Sequence, residues 1–261
     1  MRILFIGDIS GSTGRKTASK MISEIKQKES FDFCIANCEN VAGGLGLTYT
    51  LAQELRKNGI EVITLGNHTW SKKEITNFID SVGCIVRPAN YPEELPGKGS
   101  CMLSKKDMKI GVINVQGQVY MDPIDCPFKA CEREIAKLRK ETKVIIIDFH
   151  AEATSEKCAL ANYLDGRVSA VLGTHTHVQT ADERILPCGT SFISDVGMTG
   201  PYDSVIGLEK EIVIKKFTTH FPERFEPAKG RGQFNAVLLD IDEATGKTIN
   251  IKRIFEVCDE V

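Results

Sequence analysis

Short apolar runs punctuate this chain, and five of them stop at residues able to bind a metal. ILFIG is followed by Asp8, FCIANC by Glu39 and Asn40, VITLG by Asn67 and His68, VIIIDF by His150, and AVLGT by His175, Thr176 and His177. Buried parallel strands read as short, continuous apolar runs, and ligands of α/β proteins bind beyond their carboxyl ends. Lying side by side, these runs would bring residues from distant parts of the chain to one rim.

The first eighty residues alternate cleanly. Residues 2–7 predict a strand, 13–28 a helix capped by Ser12 or Thr13, 33–37 a second strand, 48–58 a helix, 61–65 a third strand, and 72–79 a further helix. That βαβαβα order predicts a parallel sheet with right-handed crossovers. The stretch 87–99, RPANYPEELPGKG, carries three prolines and two glycines and reads as a loop. Strands are expected at 100–104 and 109–115, an irregular stretch at 116–127, and a helix at 128–141. Strand 143–149, helix 155–163 and strand 168–172 resume the alternation. Short strands near 183–186 and 190–194 precede a glycine-rich loop, then a helix at 207–216. The end of the chain, FNAVLLDID-EATG-KTINIKRIFEV, alternates about a polar turn and reads as a hairpin. The expected fold class is therefore α/β, with a mixed sheet or two sheets packed face to face. One domain, 1–261, is the simplest organisation, with a small cap over the site built around 87–128.

Composition narrows the partners. The chain has 261 residues, 42% hydrophobic and 26% charged, with net charge −2, which gives no reason to expect strong nonspecific nucleic-acid binding. Its nine cysteines are dispersed, odd in number and never spaced C-x-x-C. That argues against a zinc ribbon or a disulfide framework and for reduced thiols in a cytoplasm. The N-terminal apolar run is too short for a signal peptide, and no stretch is long enough to span a bilayer.

Four of the five histidines fall at the strand ends. Taken singly each residue has a plain reading. Asp8 alone would be a turn or cap, Glu39-Asn40 turn chemistry, Asn67-His68 a helix start, His150 a core histidine. His175-x-His177 says more, because i and i+2 face one way on an extended segment. The coincidence at five strand ends points to a metal site. Two divalent cations about 3.5–4 Å apart can clamp the attacking and leaving oxygens of a phosphoryl group. Carboxylate, amide and imidazole donors together suit Mn, Fe or Zn better than Mg or Ca. Asp8, Glu39, Asn40, Asn67, His150, His175 and His177 supply that mixture, and His68 stands beside them as a candidate general acid. Other features are weaker. Gly43-Gly44-Leu45-Gly46 lacks the lysine of a P-loop. Cys34 and Cys38 read as small hydrophobes. Trp70 reads as core or substrate wall. Arg87 and Arg184 read as solvated or salt-bridged rather than phosphate-binding, and Asp195 and Tyr202 lie in a loop that could border the site.

These residues, with the phrases IANCENVAGGLG, ITLGNHTW, RPANYP, DFHAEATSEK, VLGTHTHVQTADERILP and DVGMTGPYDSVIG, resemble the calcineurin-like metallophosphoesterases, and within them the YmdB-type 2′,3′-cyclic-nucleotide 2′-phosphodiesterases. The resemblance covers nearly the whole chain. Asp8-Ile9-Ser10 replaces the D-x-H start of the wider superfamily, and Glu39 replaces its bridging aspartate; the YmdB-type branch shares both changes, with Asn40 filling the lost position. The resemblance implies an α/β sandwich of mixed sheets flanked by helices and two metal ions, iron or manganese. One ion would be held by Asp8, Glu39, Asn40 and His177, the other by Glu39, Asn67, His150 and His175. It implies that His68 protonates the leaving group, and that 2′,3′-cyclic nucleotides give 3′-nucleotides. Other phosphoesters or RNA are further candidate substrates, and a homo-oligomer is expected. The rival reading is a regulatory protein that senses a nucleotide or RNA through the same site.

Overall fold

A computed structural model describes residues 1–259; the last two positions of the expected 1–261 domain lie outside the described residues. Two mixed sheets pack face to face. The first has eight strands: β1 (Arg2–Ile6), β2 (Asp8–Ile9), β3 (Phe33–Asn37), β4 (Val62–Thr64), β5 (Cys84–Val86), β12 (Met198–Pro201), β13 (Gly232–Ile241) and β14 (Thr248–Cys258). The second has six: β6 (Ser100–Lys105), β7 (Met108–Gln116), β8 (Ile145–His150), β9 (Ala170–Thr174), β10 (Arg184–Ile185) and β11 (Ser191–Ile193). Strands β1, β3, β4 and β5 run parallel in the first sheet, and β7, β8, β9 and β11 in the second. Helices α1 (Gly11–Lys28) and α2 (Tyr49–Lys57) cover the outer face of the first sheet, and α3 (Pro127–Leu138) and α4 (Thr154–Tyr163) that of the second.

Strand alternation sorts side chains into three apolar layers. On β1, Leu4 and Ile6 face the helices while Ile3 and Phe5 enter the core between the sheets. On β8, Ile145, Ile147 and Phe149 face helices while Val144, just before it, and Ile146 enter the inter-sheet core. Each fully buried Ile or Phe contributes about 1.5–3 kcal/mol relative to exposure. The same parity decides where polar residues at the strand ends go. Asn37, Thr64, Asp148, His150 and Thr174 continue the inter-sheet faces of β3, β4, β8 and β9, so both sheets deliver polar groups to one buried place.

Several boundaries differ from the sequence reading. Residues 72–79 form only a five-residue 3-10 helix, Lys73–Asn77, too short for α-helical propagation to offset its nucleation cost. The helix expected at 207–216 is α5 (Lys210–Thr219), displaced because Gly207 takes φ +100° and Leu208 bridges Val205 and Pro227. Helix α1 starts earlier than expected, with Ser10 at its N-cap and no side-chain capping bond; the Gly11 amide instead donates to the Asn40 carbonyl at 2.9 Å. Thr48 does cap α2, accepting from Leu51 N at 3.3 Å. Within 87–128, β6 and β7 belong to the second sheet. Arg87 is neither solvated nor salt-bridged: it is buried and donates to the carbonyls of Pro88, Pro92, Leu95 and Pro96, tying the proline-rich loop together. No helix among the described residues is long and apolar enough to cross a membrane.

Candidate metal centre

The carboxyl ends of β3 and β4 meet those of β8 and β9 across the inter-sheet space. His150, the last residue of β8, is fully buried there. Its Nε2 lies 3.0 Å from Asn67 Oδ1, 3.0 Å from His175 Nδ1 and 3.0 Å from Glu39 Oε1. One ring nitrogen can satisfy only one of these contacts as a hydrogen bond. About 3.0 Å is also the edge of an octahedron with bonds of about 2.1 Å, so each of the three atoms is spaced from His150 Nε2 as a neighbouring ligand of one ion would be. Glu39, His150 and His175 by themselves form a cluster able to hold a metal ion.

The far nitrogen of each imidazole is held from outside. His150 Nδ1 donates to Thr174 Oγ1 at 2.9 Å, and that hydroxyl donates to Asp148 Oδ1 at 2.7 Å. His175 Nε2 lies 3.3 Å from Glu152 Oε2, and His177 Nδ1 donates to the Ile206 carbonyl at 2.9 Å. These contacts leave the opposite nitrogen of each ring facing the cluster, the usual arrangement behind metal-bound histidines.

Asp8 and His177 form a looser group. Asp8 Oδ2 accepts from the His175 amide at 3.1 Å, while Oδ1 stands 3.9 Å from His177 Nε2 and 3.8 Å from His150 Nδ1. The Asn40 amide nitrogen lies 3.0 Å from His177 Nε2. Ligation through its oxygen would need a half-turn of that amide. Asp8 Oδ1 is buried with no hydrogen-bond partner among the described residues, and buried Glu39 Oε1 is met by His150 Nε2 at 3.0 Å. An unpaired buried carboxylate oxygen is costly, and a cation in the cluster would remove that cost. The residues present therefore fit a metal.

Backbone geometry serves the same convergence. His175 and His177 adopt φ +103° and +66°, a region side chains rarely occupy. A buried ion pair supports this turn: Lys157 Nζ binds Asp195 Oδ2 at 2.8 Å and the Thr174 carbonyl at 2.9 Å, and Asp195 Oδ2 accepts from the Thr176 amide at 3.0 Å. Gly66 sits so close that a Cβ there would lie 2.3 Å from His150 Cδ2 and 2.5 Å from Glu39 Oε2.

Charge is shared unevenly. Burial works against ionisation of Glu39, yet the adjacent His150 charge brings it down to about 2. Burial likewise opposes the His150 cation, but the Glu39 carboxylate holds it up at about 9. Burial, then the His150 charge, takes His175 down to about 3. Burial raises Asp8, against the pull of His177 and His150. Burial also raises Asp148, to about 6, despite His150 and the hydroxyls of Thr174 and Thr64.

The cluster opens on a cavity of about 410 Å³ lined by Glu39, Asn40, His68, Glu152, His175 and His177, with apolar walls from Leu45, Leu208, Phe225 and Pro227. No residue of 87–128 lines it. His68 is half-buried; its amide donates to Glu39 Oε2 at 2.8 Å, and its Nε2 lies 3.4 Å from Asn67 Nδ2.

The YmdB-like protein family model matches residues 4–254. The chain belongs to this family. It is 52% identical over 254 residues to a 2′,3′-cyclic-nucleotide 2′-phosphodiesterase of Bacillus subtilis, covering 97% of this chain and 96% of the relative. A phosphatase of Mycoplasma pneumoniae superposes with TM-score 0.93 at 36% identity, covering 100% of this chain and 94% of that one. A 5′-nucleotidase-type structure from Staphylococcus aureus, at TM-score 0.61 and 13% identity, covers 100% of this chain and 55% of that one and shares the fold alone. The metallophosphoesterase-type sandwich and the membership expected from the motifs hold for this YmdB-like chain.

All eight residues singled out in the sequence gather at this rim. Missed were Lys157, Glu152, Thr174 and Asp148. Each lies one to three residues from a candidate or inside the same motifs, but Asp148 and Thr174 read as members of the apolar runs themselves, and Glu152 and Lys157 lie beyond one. Trp70 is half-buried against the core, its ring edge-on to Tyr91 at 6.0 Å. Arg184 stacks on Phe192 at 5.3 Å rather than reaching the cluster.

Proposed function

We propose that this chain is a metal-dependent phosphodiesterase that opens 2′,3′-cyclic nucleotides to 3′-nucleotides. The observation carrying this reading is the set of three donor atoms each 3.0 Å from His150 Nε2. Kinship with the Bacillus subtilis phosphodiesterase supplies the substrate and favours catalysis over the regulatory alternative. In this reading the site holds two metal ions, iron or manganese. Asp8, Glu39, Asn40 and His177 would hold one; Glu39, Asn67, His150 and His175 would hold the other. When bound, such ions supply Lewis-acid stabilisation of phosphoryl oxygens and activation of water.

The chain's own residues do the rest. Glu39 is fixed by the His68 amide, and the imidazoles by Thr174, Glu152 and the Ile206 carbonyl, so the donors are oriented before substrate arrives. Leu45, Leu208, Phe225 and Pro227 give the cavity apolar walls. His68 Nε2 lies 3.4 Å from the Asn67 amide nitrogen, and the residue lines the cavity. As imidazolium, His68 gives a proton to the 2′ oxygen as water adds to phosphorus and the P–O2′ bond breaks, and the proton that the water releases recharges the neutral ring. Other phosphoesters or short RNA ends are secondary substrates. A cytoplasmic homo-oligomer completes the reading.

The test is hydrolysis of 2′,3′-cyclic AMP by protein loaded with Mn or Fe. The expected product is 3′-AMP, with activity abolished by chelator and restored by metal. His68→Ala should retain both metals and lose about 100- to 10,000-fold in turnover, the usual contribution of a general acid. Undiminished turnover by that variant would remove His68 from the mechanism; absence of hydrolysis by the loaded wild type would remove the whole reading.

A further inference from the structure

A second groove of about 620 Å³ adjoins the metal cavity, and His177 and Ile206 belong to the walls of both. Its origin is visible in the strand register. Val237, Leu239 and Ile241 on β13, and Ile251 on β14, pack into the inter-sheet core. Gln233 and Asn235 continue that face of β13, and Arg253 and Phe255 that of β14, with Asn235 directly opposite Phe255. There they line the groove, with Tyr202 at its side.

Its walls are aromatic and polar, with one arginine, Arg253, that is ion-paired. Tyr202 and Phe255 are 40% and 52% exposed, and their rings meet at 6.5 Å and 54°, forming an angled apolar wall. Arg231 lies 5.1 Å over the Tyr202 ring and is itself paired with Asp203 at 3.0 Å, which braces that ring from behind. Arg253 is paired with Glu183 at 2.6 Å. Both guanidinium groups are already neutralised, so the groove does not suit a second phosphate. Asn235 is 2% exposed; its amide N–H donates to the Met198 carbonyl at 2.8 Å, and its Oδ1 has no partner among the described residues. An aromatic wall beside a buried, unpaired acceptor suits a flat heterocycle bearing N–H groups, and every nucleobase presents one on its Watson–Crick edge.

We propose that this groove receives the nucleobase of the substrate, stacked on Phe255 and Tyr202, while the cyclic phosphate lies beyond His177 at the metal cluster. The proposal rests on the phosphodiesterase reading for the placement of the phosphate, and adds the element that tells a nucleotide from a bare sugar phosphate. Ile206 would then have two jobs, since its carbonyl orients His177 and its side chain separates the two subsites.

The experiment compares kcat/KM for 2′,3′-cyclic AMP with that for 1-O-methylribose 2′,3′-cyclic phosphate, which lacks a base, using wild type, Phe255→Ala and Phe255→Trp. Wild type should prefer the nucleotide. Phe255→Ala should reduce that preference about 5- to 100-fold, mainly through KM, and Phe255→Trp should restore it. A preference unchanged by Phe255→Ala, or an equal loss on both esters, would overturn the proposal. Should wild type hydrolyse neither ester, the parent reading fails separately, and calorimetric titration with adenosine decides the groove. Adenosine binding that weakens in Phe255→Ala supports it; no adenosine binding to wild type overturns it.

Discussion

The two halves of the candidate centre are built differently. Around His150 three donor atoms each lie 3.0 Å from its Nε2; Glu39 is buried, Asn67 and His175 are half-buried, and they follow β3, β4 and β9, with His175 at the start of the turn that carries His177. Around His177 the Asp8 carboxylate stands 3.9 Å from the ring, and His177 itself hangs on a left-handed turn whose outer anchor is a carbonyl from residue 206. Strand ends are held by sheet hydrogen bonds on both sides; a turn is held by its neighbours in space. The comparison predicts a tight, preorganised ion position beside His150 and a more exchangeable one beside His177.

The largest break should come from His150→Ala. Removing the atom on which three donors converge should abolish the adjoining metal and reduce turnover by well over the 100-fold that outer contacts typically contribute. His177→Ala should be milder: one of two metal equivalents lost on dialysis, with the ion beside His150 retained. Equal metal loss in both variants, read by elemental analysis, would erase the distinction between the halves. A smaller effect is expected from Thr174→Val. It removes the hydroxyl linking His150 Nδ1 to Asp148 while nearly conserving volume, and should weaken metal affinity or activity about 10- to 100-fold with the fold intact. An unchanged metal dissociation constant in that variant would show that the relay orients nothing.

The tight half was also the legible half. Its donors follow continuous apolar runs, and such runs betray buried parallel strands without tertiary knowledge. Asn67, His150 and His175 each follow or close a run that became β4, β8 or β9. The looser half was only partly legible. Asp8 read as a residue after a strand, yet it begins the two-residue strand β2, which pairs with β12 through Met198 and Thr199. Two residues carry no periodicity, and their partner lies about 190 positions away in a glycine-rich stretch that reads as loop. The Lys157–Asp195 pair was invisible for the same reason: a lysine in a helix and an aspartate in a loop are each ordinary until burial brings them together. Glu152 and Asp148 sat inside recognised motifs, but their roles come from a hydrogen bond to the far side of a ring, which no spacing rule encodes.

The most direct measurement is a crystal structure of the Mn-loaded protein with anomalous scattering recorded. The account predicts two peaks about 3.5–4 Å apart, with the Glu39 carboxylate between them and His150 and His175 on one peak, Asp8 and His177 on the other. A fully loaded crystal with no peak within bonding distance of His150, or with Glu39 touching neither ion, would contradict it.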